Sequence, residues 1–195
     1  MQKIAKYAIR NVYPTLAIAE KIPFKDNCFD LIISNNGINN VYDISKALQE
    51  CKRVCKKKGQ LLFTMNLEDS MREFYDELEQ VMKELNLPEM IIGIKKQIYE
   101  KRKPISEIKS MILSAGFSIS KIIQNEFYLR FASASALFNH SMIKYWFLPG
   151  WKTIIKDDSI LDPVFKSLEK KLNKTADQKG EIRLSIPFVT IDCLG

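Results

Sequence analysis

The segment from Glu20 to Ser34 reads EKIPFKDNCFDLIIS and carries the main signal for the fold. Its first half is a polar turn. Its second half, Phe29 to Ser34, is short, apolar and rich in isoleucine, which is typical of a strand covered on both faces. A helical pattern and a second apolar segment, Leu61 to Met65, follow along the chain. The order of turn, strand, helix and strand predicts one βαβ unit.

The helix of this unit is predicted over residues 43–57. Apolar residues recur with helical spacing on one side of it, at Ile44, Ala47, Leu48, Cys51, Val54 and Cys55. Asp43 stands at its start, where a carboxylate accepts hydrogen bonds from free backbone N–H groups. The lysines at 56–58 favour the helix end electrostatically, and Gly59 is expected to supply the left-handed closing residue. A right-handed crossover then places the second strand parallel to the first.

The rest of the chain predicts more helices and strands in mixed order. The helices are expected at residues 2–10, 68–86, 105–115, 134–147 and 164–172, and the strands at 12–18, 117–131 and 181–192. Pro88 is expected to end a helix before a basic, less regular segment, and Pro149 to break another. Pro14 and Pro187 fall inside predicted strands, which places those strands at an edge or a bulge.

These elements indicate an α/β protein with a partly parallel sheet. The 195 residues, 46% of them hydrophobic, suffice for one globular domain with a full core, with or without a small appendage. We expect a single domain over residues 1–195, in which residues 67–180 are mostly helical.

The net charge of +7 comes with lysines spread along the chain. It fits a solvated lysine-rich surface or, as the alternative, nucleic-acid binding. A protein that binds RNA or DNA should interleave basic residues with exposed aromatic residues, or carry the signature of a known module. The sequence shows neither pattern, so we expect no nucleic-acid partner.

The cysteines Cys28, Cys51, Cys55 and Cys193 include no C-x-x-C pair, and His140 is the only histidine, so no metal site is expected. Cys51 and Cys55 lie four residues apart on the predicted helix, which fits two buried small side chains or, alternatively, a redox pair. This usage fits a reducing cytoplasm, where we expect the protein. No signal peptide opens the sequence and no apolar run reaches the roughly 18 residues that span a membrane.

Four segments carry a recognisable combination of motifs. They read Ala-Glu-Lys-Ile-Pro-Phe at 19–24, Phe-Asp-Leu-Ile at 29–32, Ala-Leu-Gln-Glu-Cys-Lys-Arg-Val at 47–54 and Lys-Lys-Gly-Gln at 57–60. In this order they resemble class I S-adenosylmethionine (SAM)-dependent methyltransferases of the type 11 kind. Later segments are also similar to that family: Ser114–Phe117 to the entry of its penultimate strand, and Ile182–Ile191 to its antiparallel last strand.

The resemblance implies a Rossmann-like methyltransferase sheet, partly parallel with an antiparallel C-terminal strand. It implies SAM as the cofactor and S-adenosylhomocysteine as the product, bound at the carboxyl ends of the parallel strands. Ala19 and Glu20 would flank the adenine, with Ile22 and Phe24 nearby. Ile18 departs from the family, which often has an aspartate at this position.

The resemblance also places a turn beside the methionine part of the cofactor and the transferred methyl. This turn consists of Ser34, Asn35, Asn36 and Gly37. Gly37 would let the backbone approach a ligand closely, and the asparagines offer both donors and acceptors. The alternative interpretation of Asn35–Gly37 is an ordinary turn.

One part of the family pattern is absent from the sequence. The family begins with a strand, a Gly-x-Gly turn and a second strand that ends in an acidic residue, whereas no two of the seven glycines here lie within three residues of each other. The N-terminal strands are therefore predicted to be missing. Their loss would leave one flank of Phe29–Ser34 exposed, an edge suited to a homodimer.

Two functions follow as hypotheses. The first is a SAM-dependent methyltransferase with an N-terminally shortened chain, acting on a small-molecule acceptor. The second is a non-catalytic methyltransferase-like domain that associates with itself or with a partner. Methyl transfer depends more on positioning than on an acid–base pair, so the lack of a recognisable catalytic triad does not separate them.

Acceptor contacts are expected from an aromatic segment that covers the site as a cap. Its members are Phe127, Tyr128, Phe131, Phe138, His140, Tyr145, Trp146 and Trp151. His140 is the candidate base for an acceptor hydroxyl or amine, and Met142–Trp151 is a candidate lid. The alternative is that most of these residues belong to the core.

Overall fold

The computed structural model describes residues 11–155 and 157–195, and the predicted helix at residues 2–10 lies outside them. The strands of these residues are β1 (Phe29–Asn35), β2 (Cys55–Asn66), β3 (Ser118–Phe131) and β4 (Ile182–Leu194). The α-helices are α1 (Ile44–Val54), α2 (Arg72–Glu84), α3 (Pro88–Lys101), α4 (Ile105–Ser114), α5 (Ala134–Asn139), α6 (Leu148–Lys152) and α7 (Asp158–Lys179). A 3-10 turn covers Ile38–Asn40, and a π-helical turn covers Ile143–Phe147.

The four strands form one sheet in the order β1-β2-β4-β3. β1 and β2 are parallel, and β4 is antiparallel to both β2 and β3. The predicted α/β fold, partly parallel with an antiparallel C-terminal strand, is therefore confirmed. β1 is an edge strand, and its carboxyl end lies beside that of β2.

The junction of α1 and β2 differs from the prediction. α1 ends at Val54 and β2 begins at Cys55, so the lysines at 56–58 and Gly59 belong to the strand and not to a helix end. The parallel ladder skips them as a bulge, since β1 pairs with Cys55 and then with Gln60. Gly59 is therefore not the left-handed closing residue; Lys58 has that conformation, with φ 67°.

Close approach, and not a left-handed turn, explains the glycine at position 59. A Cβ there would lie 2.8 Å from the Cys55 Sγ, 2.9 Å from the Lys56 carbonyl oxygen and 3.1 Å from the Asp30 carbonyl oxygen. Two of these neighbours are backbone atoms, which cannot rotate away. Gly116, by contrast, does close α4 in the left-handed conformation (φ 89°).

The prediction of a strand at residues 12–18 is wrong. Residues 12–17 have no regular structure, and Ile18 makes only an isolated bridge with Lys21. Tyr13 and Leu16 are exposed, so no packing holds this segment in a ladder.

Prolines start helices here instead of ending them. Pro88 occupies the first turn of α3, so the segment expected to be irregular is a helix, and Pro149 occupies the first turn of α6. A first-turn proline loses no hydrogen bond, because that N–H has no partner within a helix. The predicted helix at 134–147 is interrupted instead at His140, whose backbone is extended (ψ 128°). The last helix, α7, is longer than predicted and includes Pro163.

Apolar side chains form two clusters. The base cluster joins α1 and α4 to the sheet and includes Leu48, Cys51, Leu61, Phe63, Ile108, Ile112, Val189, Ile191 and Cys193. The helical cluster joins α2, α3, α5 and α7 to the far ends of β3 and β4 and includes Phe74, Tyr75, Leu78, Ile94, Phe131, Trp151, Leu168, Leu172, Ile182, Leu184 and Ile186.

The two clusters lie on opposite faces of the sheet. Along β4, the even-numbered positions 182–186 are buried in the helical cluster, whereas the odd-numbered positions 189–193 are buried in the base cluster. Successive side chains of a strand point to opposite faces, so the buried face changes between Ile186 and Val189. Pro187 stands at this change, one residue beyond the last β4 residue that pairs with β2, Phe188. At Pro187, β4 pairs with β3 but no longer with β2. The strand is therefore at an edge of the sheet at this residue, as predicted, although it is central farther along.

The face of β1 opposite the base cluster is open. Ile32 packs on the base cluster, and its neighbours Leu31 and Ile33 point the other way with 48% and 64% of their surfaces exposed. β1 is also an edge strand of the sheet formed by the described residues, which agrees with the predicted exposed flank.

No helix among residues 11–155 and 157–195 combines the length and the apolar character needed to cross a membrane.

Candidate functional site

The loop before β1 is held to the start of α1 by Glu20. One oxygen of its carboxylate accepts from the backbone N–H groups of Tyr42 (2.6 Å) and Asp43 (3.0 Å). These hydrogen bonds, led by that from Asp43, hold the pKa of Glu20 below its usual range. Asp43 in turn accepts from the Lys46 N–H at 3.0 Å, which confirms its predicted role at the helix start. The carboxylate of Glu20 is therefore committed to local structure.

Two side chains of α1 hold the next part of the loop. Glu50 accepts from the Ile22 N–H at 2.8 Å, and Arg53 donates to the carbonyl oxygens of Ile22 (2.7 Å) and Phe24 (2.8 Å). Arg53 also pairs with Glu50 at 2.7 Å and with Asp26 at 2.8 Å. The hydrogen bond from Arg53 is the main reason why the pKa of Glu50 falls to about 2. The Glu-x-x-Arg pattern of α1 thus fixes the conformation of the Ala-Glu-x-x-Pro-Phe loop.

A concavity opens between this loop and the segment that follows β1. Its volume is about 570 Å³, and its lining residues are Ile18, Ala19, Glu20, Asn40, Tyr42, Asp43 and Lys46. Two of the four predicted loop residues, Ala19 and Glu20, therefore line this concavity. Ile22 instead packs against the base cluster, and Phe24 makes an edge contact with Phe29 at 5.0 Å between ring centroids.

The turn after β1 is built on Thr64 of the neighbouring strand. The Asn36 N–H donates to the Thr64 hydroxyl (3.0 Å) and to its carbonyl oxygen (3.1 Å), while the hydroxyl donates to the Asn35 Oδ1 (2.7 Å). Asn36 is left-handed, with φ 50°, a conformation that asparagine tolerates well. A Cβ at Gly37 would lie 2.8 Å from the Ser34 Oγ. The structure therefore brings the four predicted turn residues together at the carboxyl edge of β1.

Two buried amide oxygens lie at the same edge. Asn39 Nδ2 donates to the carbonyl oxygens of Asn66 (3.3 Å) and Lys101 (3.4 Å), which joins the turn to the ends of β2 and α3. Among the described residues, neither Asn39 Oδ1 nor Asn66 Oδ1 receives a hydrogen bond, although both atoms are buried. Such groups are costly without a donor, so this edge is suited to a ligand that carries one.

Sequence reasoning missed Asn39, Thr64 and Asn66 as site residues. Asn66 ends the second strand of the βαβ unit, and Thr64 precedes it by two residues, so both lie at the carboxyl edge beside the turn. The signal was available, because polar side chains at the ends of two adjacent parallel strands meet at one edge. Asn39 carries no such signal, since its position follows from the 3-10 turn.

His140 lies in another part of the molecule. It is exposed at the end of α5, with its ring 5.6 Å from that of Phe131. Phe131 is six residues along β3 from Asn125, which is level with Asn66 across β4. Six strand residues span about 20 Å, so the structure does not bring His140 next to the Asn35–Gly37 turn.

The aromatic segment divides between surface and core. Trp151 is fully buried, stacked on Phe74 at 3.8 Å between ring centroids, whereas Tyr145 and Trp146 are exposed. Phe131 and Phe138 pack in or against the helical cluster, whereas Phe127 and Tyr128 are exposed residues of β3. The core interpretation therefore fits Phe131, Phe138 and Trp151 only.

Sequence comparison finds similarity in the first third of the chain. A family described as "Methyltransferase domain" matches residues 1–63. The ubiquinone/menaquinone biosynthesis C-methyltransferase UbiE of Rickettsia bellii is 42% identical over 69 residues, which are 34% of this chain and 28% of that protein. UbiE of Psychromonas ingrahamii is 44% identical over 71 residues, 35% of this chain and 28% of that protein. The matched segment thus spans little more than a quarter of these relatives.

Structural comparison extends the similarity along the chain at low sequence identity. The YcgJ protein from Bacillus subtilis aligns with a TM-score of 0.58 and 16% identity, over 99% of this chain and 75% of that one. A putative methyltransferase from Bacillus halodurans aligns with a TM-score of 0.56 and 17% identity, over 99% and 75%. Phosphoethanolamine N-methyltransferase 2 from Haemonchus contortus, solved in complex with S-adenosyl-L-methionine, gives a TM-score of 0.50 and 16% identity, over 99% and 39%.

Proposed function

We propose that this chain, a relative of class I SAM-dependent methyltransferases by the sequence of its first 63 residues and by its fold, binds SAM and supports methyl transfer to a small-molecule acceptor. One observation carries the proposal. At the carboxyl edge of the parallel strands β1 and β2, a polar turn meets two buried amide oxygens that receive no hydrogen bond among the described residues. Open α/β sheets bind ligands at such an edge.

The proposal assigns the two ends of the cofactor to the two parts of the site. The concavity beside Ala19 would take the adenine, and Glu20 would shape it by holding the backbone of Tyr42 and Asp43 in place. Ile22 and Phe24 support the loop by packing. SAM, when bound, supplies a methyl group on a positively charged sulfur.

The turn at Ser34–Gly37 would lie beside the methionine part. Asn36 is held by Thr64 through its backbone, so its side chain is available to a ligand. The amide oxygens of Asn39 and Asn66 accept hydrogen bonds and so suit an ammonium, amine or hydroxyl group. What these residues do is orient the reacting groups, the main requirement of methyl transfer.

Isothermal titration of the 195-residue chain with S-adenosylhomocysteine tests the proposal. We expect binding that weakens at least tenfold in Asn66→Ala, because the substitution removes a buried acceptor at the site. Asn139→Ala is the matched control. This residue ends α5, a helix of the helical cluster, so the variant should bind as the wild type does. Absence of binding by the wild type would contradict the proposal for this chain.

His140 can act as the predicted general base only if the methyl acceptor reaches the end of α5, beside the helical cluster. A His140→Ala variant that turns over at the wild-type rate would eliminate this role. The reducing cytoplasm stays our proposal for its location, supported by four free cysteines.

The second candidate function is self-association through β1. The Asn36 N–H points at Thr64, so the backbone groups of Asn35, Ile33 and Leu31 point away from β2, toward the open edge. Two such edges, antiparallel and centred on Ile32, would set Leu31 of one copy opposite Ile33 of the other, with the outward backbone groups paired. A β1-to-β1 homodimer therefore satisfies the edge and covers its exposed side chains.

Sedimentation velocity tests whether the protein associates with itself through β1. The wild type should sediment as a dimer, and Ile33→Lys as a monomer, since a lysine opposite leucine at an edge opposes pairing. Ile123→Lys, on the other edge strand, is the control and should leave the dimer intact. A monomeric wild type at high concentration would rule this candidate out.

A further inference from the structure

Arg102 is a buried cation at the junction of the two clusters. It follows the last residue of α3, a helix of the helical cluster, and precedes α4, a helix of the base cluster. Only 5% of its surface is exposed. Its guanidinium carbon lies 5.7 Å from the centroid of the Tyr75 ring, so the side chain packs on an aromatic face.

The guanidinium has more donors than the surrounding protein accepts. Its one side-chain hydrogen bond among the described residues is from Nη1 to the Tyr75 hydroxyl, at a long 3.5 Å. That hydroxyl already accepts from the Trp151 Nε1 at 3.1 Å and donates to the Gln97 Oε1 at 3.0 Å. A guanidinium carries five N–H donors in a planar fork.

In the described part of the chain, no carboxylate pairs with the charge of Arg102. None of the ion pairs formed by residues 11–155 and 157–195 includes Arg102. Arg102 is the only charged residue that is buried among residues 11–155 and 157–195. A buried cation without a counter-ion is strongly unfavourable, and arginine is the residue whose geometry matches a planar carboxylate in a bidentate pair.

Arg102 adjoins the candidate site through the backbone. The carbonyl oxygen of Lys101, the residue before it, accepts from the Asn39 Nδ2, which also donates to the Asn66 carbonyl oxygen. The buried amide oxygens of Asn39 and Asn66 thus belong to the same junction as Arg102. The unmatched donors of Arg102 and the unmatched acceptors of Asn39 and Asn66 are thus linked through the Lys101 carbonyl group.

We infer that Arg102 binds a carboxylate of a small molecule held at this junction, while the amide oxygens of Asn39 and Asn66 accept from its amine or hydroxyl group. The inference rests on the proposed function and deepens it, because it gives the ligand a chemistry. The carboxylate belongs either to the methyl acceptor or to the methionine part of the cofactor. Tyr75 positions the guanidinium by its ring and hydroxyl.

Thermal unfolding of Arg102→Met separates binding from structure. If Arg102 serves a ligand, its charge is uncompensated in the ligand-free protein. Arg102→Met removes this charge, so the Tm should stay unchanged or rise by about 2–8 °C. Arg72→Met, which removes an exposed arginine at the start of α2, is the matched control. A Tm lower than that of the control would show that Arg102 is structural and would overturn the inference.

Ligand titrations with both chains identify the source of the carboxylate. If it belongs to the cofactor, Arg102→Met should bind S-adenosylhomocysteine at least tenfold more weakly, with unchanged affinity for 5′-methylthioadenosine, which lacks the amino-acid part. If it belongs to the acceptor, S-adenosylhomocysteine affinity should be unchanged. Benzoate should then raise the Tm of the wild type but not that of the variant.

Two results would overturn the inference. One is that Arg102→Met equals the wild type in both S-adenosylhomocysteine affinity and stabilisation by benzoate. The other is stabilisation by inorganic phosphate through Arg102 where benzoate has no effect. If the wild type binds no S-adenosylhomocysteine, the proposed function fails, and the benzoate titration alone decides the role of Arg102.

Discussion

The base cluster and the helical cluster bury their side chains on opposite faces of the same two strands, β3 and β4. The part of the fold that contains the base cluster, hereafter the base region or base, is covered by α1 and α4 on one face of the sheet. Its other face is open, and Leu31 and Ile33 are exposed there. The part that contains the helical cluster, hereafter the helical region, packs α2, α5 and α7 around the first residues of β4. Trp151 is completely buried in it. The loop, the turn and the buried amide oxygens therefore lie in the less protected part of the molecule.

The two regions carry separate intrinsic probes. All four cysteines belong to the base, and both tryptophans, Trp146 and Trp151, belong to the helical region. Burial raises the pKa of Cys51 to about 11 and that of Cys193 to about 12, so these thiols react slowly while the base is folded. Thiol labelling therefore reports opening of the base, and tryptophan fluorescence reports opening of the helical region.

A matched pair of core truncations should produce the largest effect. Leu61→Ala in the base and Leu168→Ala in α7 each remove a fully buried leucine and should each cost about 2–5 kcal/mol in the free energy of unfolding. In urea, Leu61→Ala should shift the thiol-labelling midpoint more than the fluorescence midpoint, and Leu168→Ala the reverse. Equal shifts of both probes in both variants would show that the clusters unfold as one unit.

A pair of glycine substitutions should produce a smaller effect. Gly59→Ala would push a Cβ against two backbone carbonyl oxygens and should cost about 3 kcal/mol, measured by urea unfolding. Gly180→Ala, at the end of α7, has open space but a left-handed backbone (φ 81°), and should cost about 1 kcal/mol. If Gly180→Ala lowers the free energy of unfolding more than Gly59→Ala does, close packing at the α1–β2 junction is not what requires a glycine at position 59.

The smallest effect is expected from acid titration of the loop support. The folded-state pKa of Glu50 is about 2, below its ordinary value of 4.5, so its contribution to stability is present above pH 4.5 and is lost as the pH falls toward 2. Glu50→Gln should therefore flatten the fall in stability across this range, measured by urea unfolding at a series of pH values with far-UV circular dichroism as the probe.

Asp177→Asn, an exposed change in α7, is the control and should retain the wild-type profile. Glu20, Glu73, Glu84 and Asp157 also have lowered pKa values, so some dependence on pH should persist in Glu50→Gln. An unchanged slope in Glu50→Gln would mean that the ion pair with Arg53 does not stabilise the fold.

Much of the base was predictable because its signals are local. The apolar run at Phe29–Ser34 and the helical spacing of α1 each specify an element, and the crossover rule orients β2. The lysines at 56–58 misled the prediction, since their positive charge suits a helix end as well as the bulge that they form. The segment at 12–18 has strand-like residues but no neighbour to pair with.

The helical region was harder to predict because its boundaries depend on packing. Pro88 and Pro149 fit both the end of one helix and the start of the next, and only the burial of Ile94 and Trp151 decides between them. The site shows the same limit. The candidate residues Ala19, Glu20 and Ser34–Gly37 follow from the motif, whereas the contact between Asn39 and Lys101, the residue before Arg102, depends on the ends of distant elements.

The position of β4 has a consequence for how the protein is made. It is synthesised after the other three strands, yet it lies between β2 and β3 and supplies buried side chains to both clusters. A ribosome-bound chain that has not yet released β4 therefore holds β2 and β3 without their shared partner, with two incomplete cores. Such nascent chains should depend on chaperones until the last strand emerges.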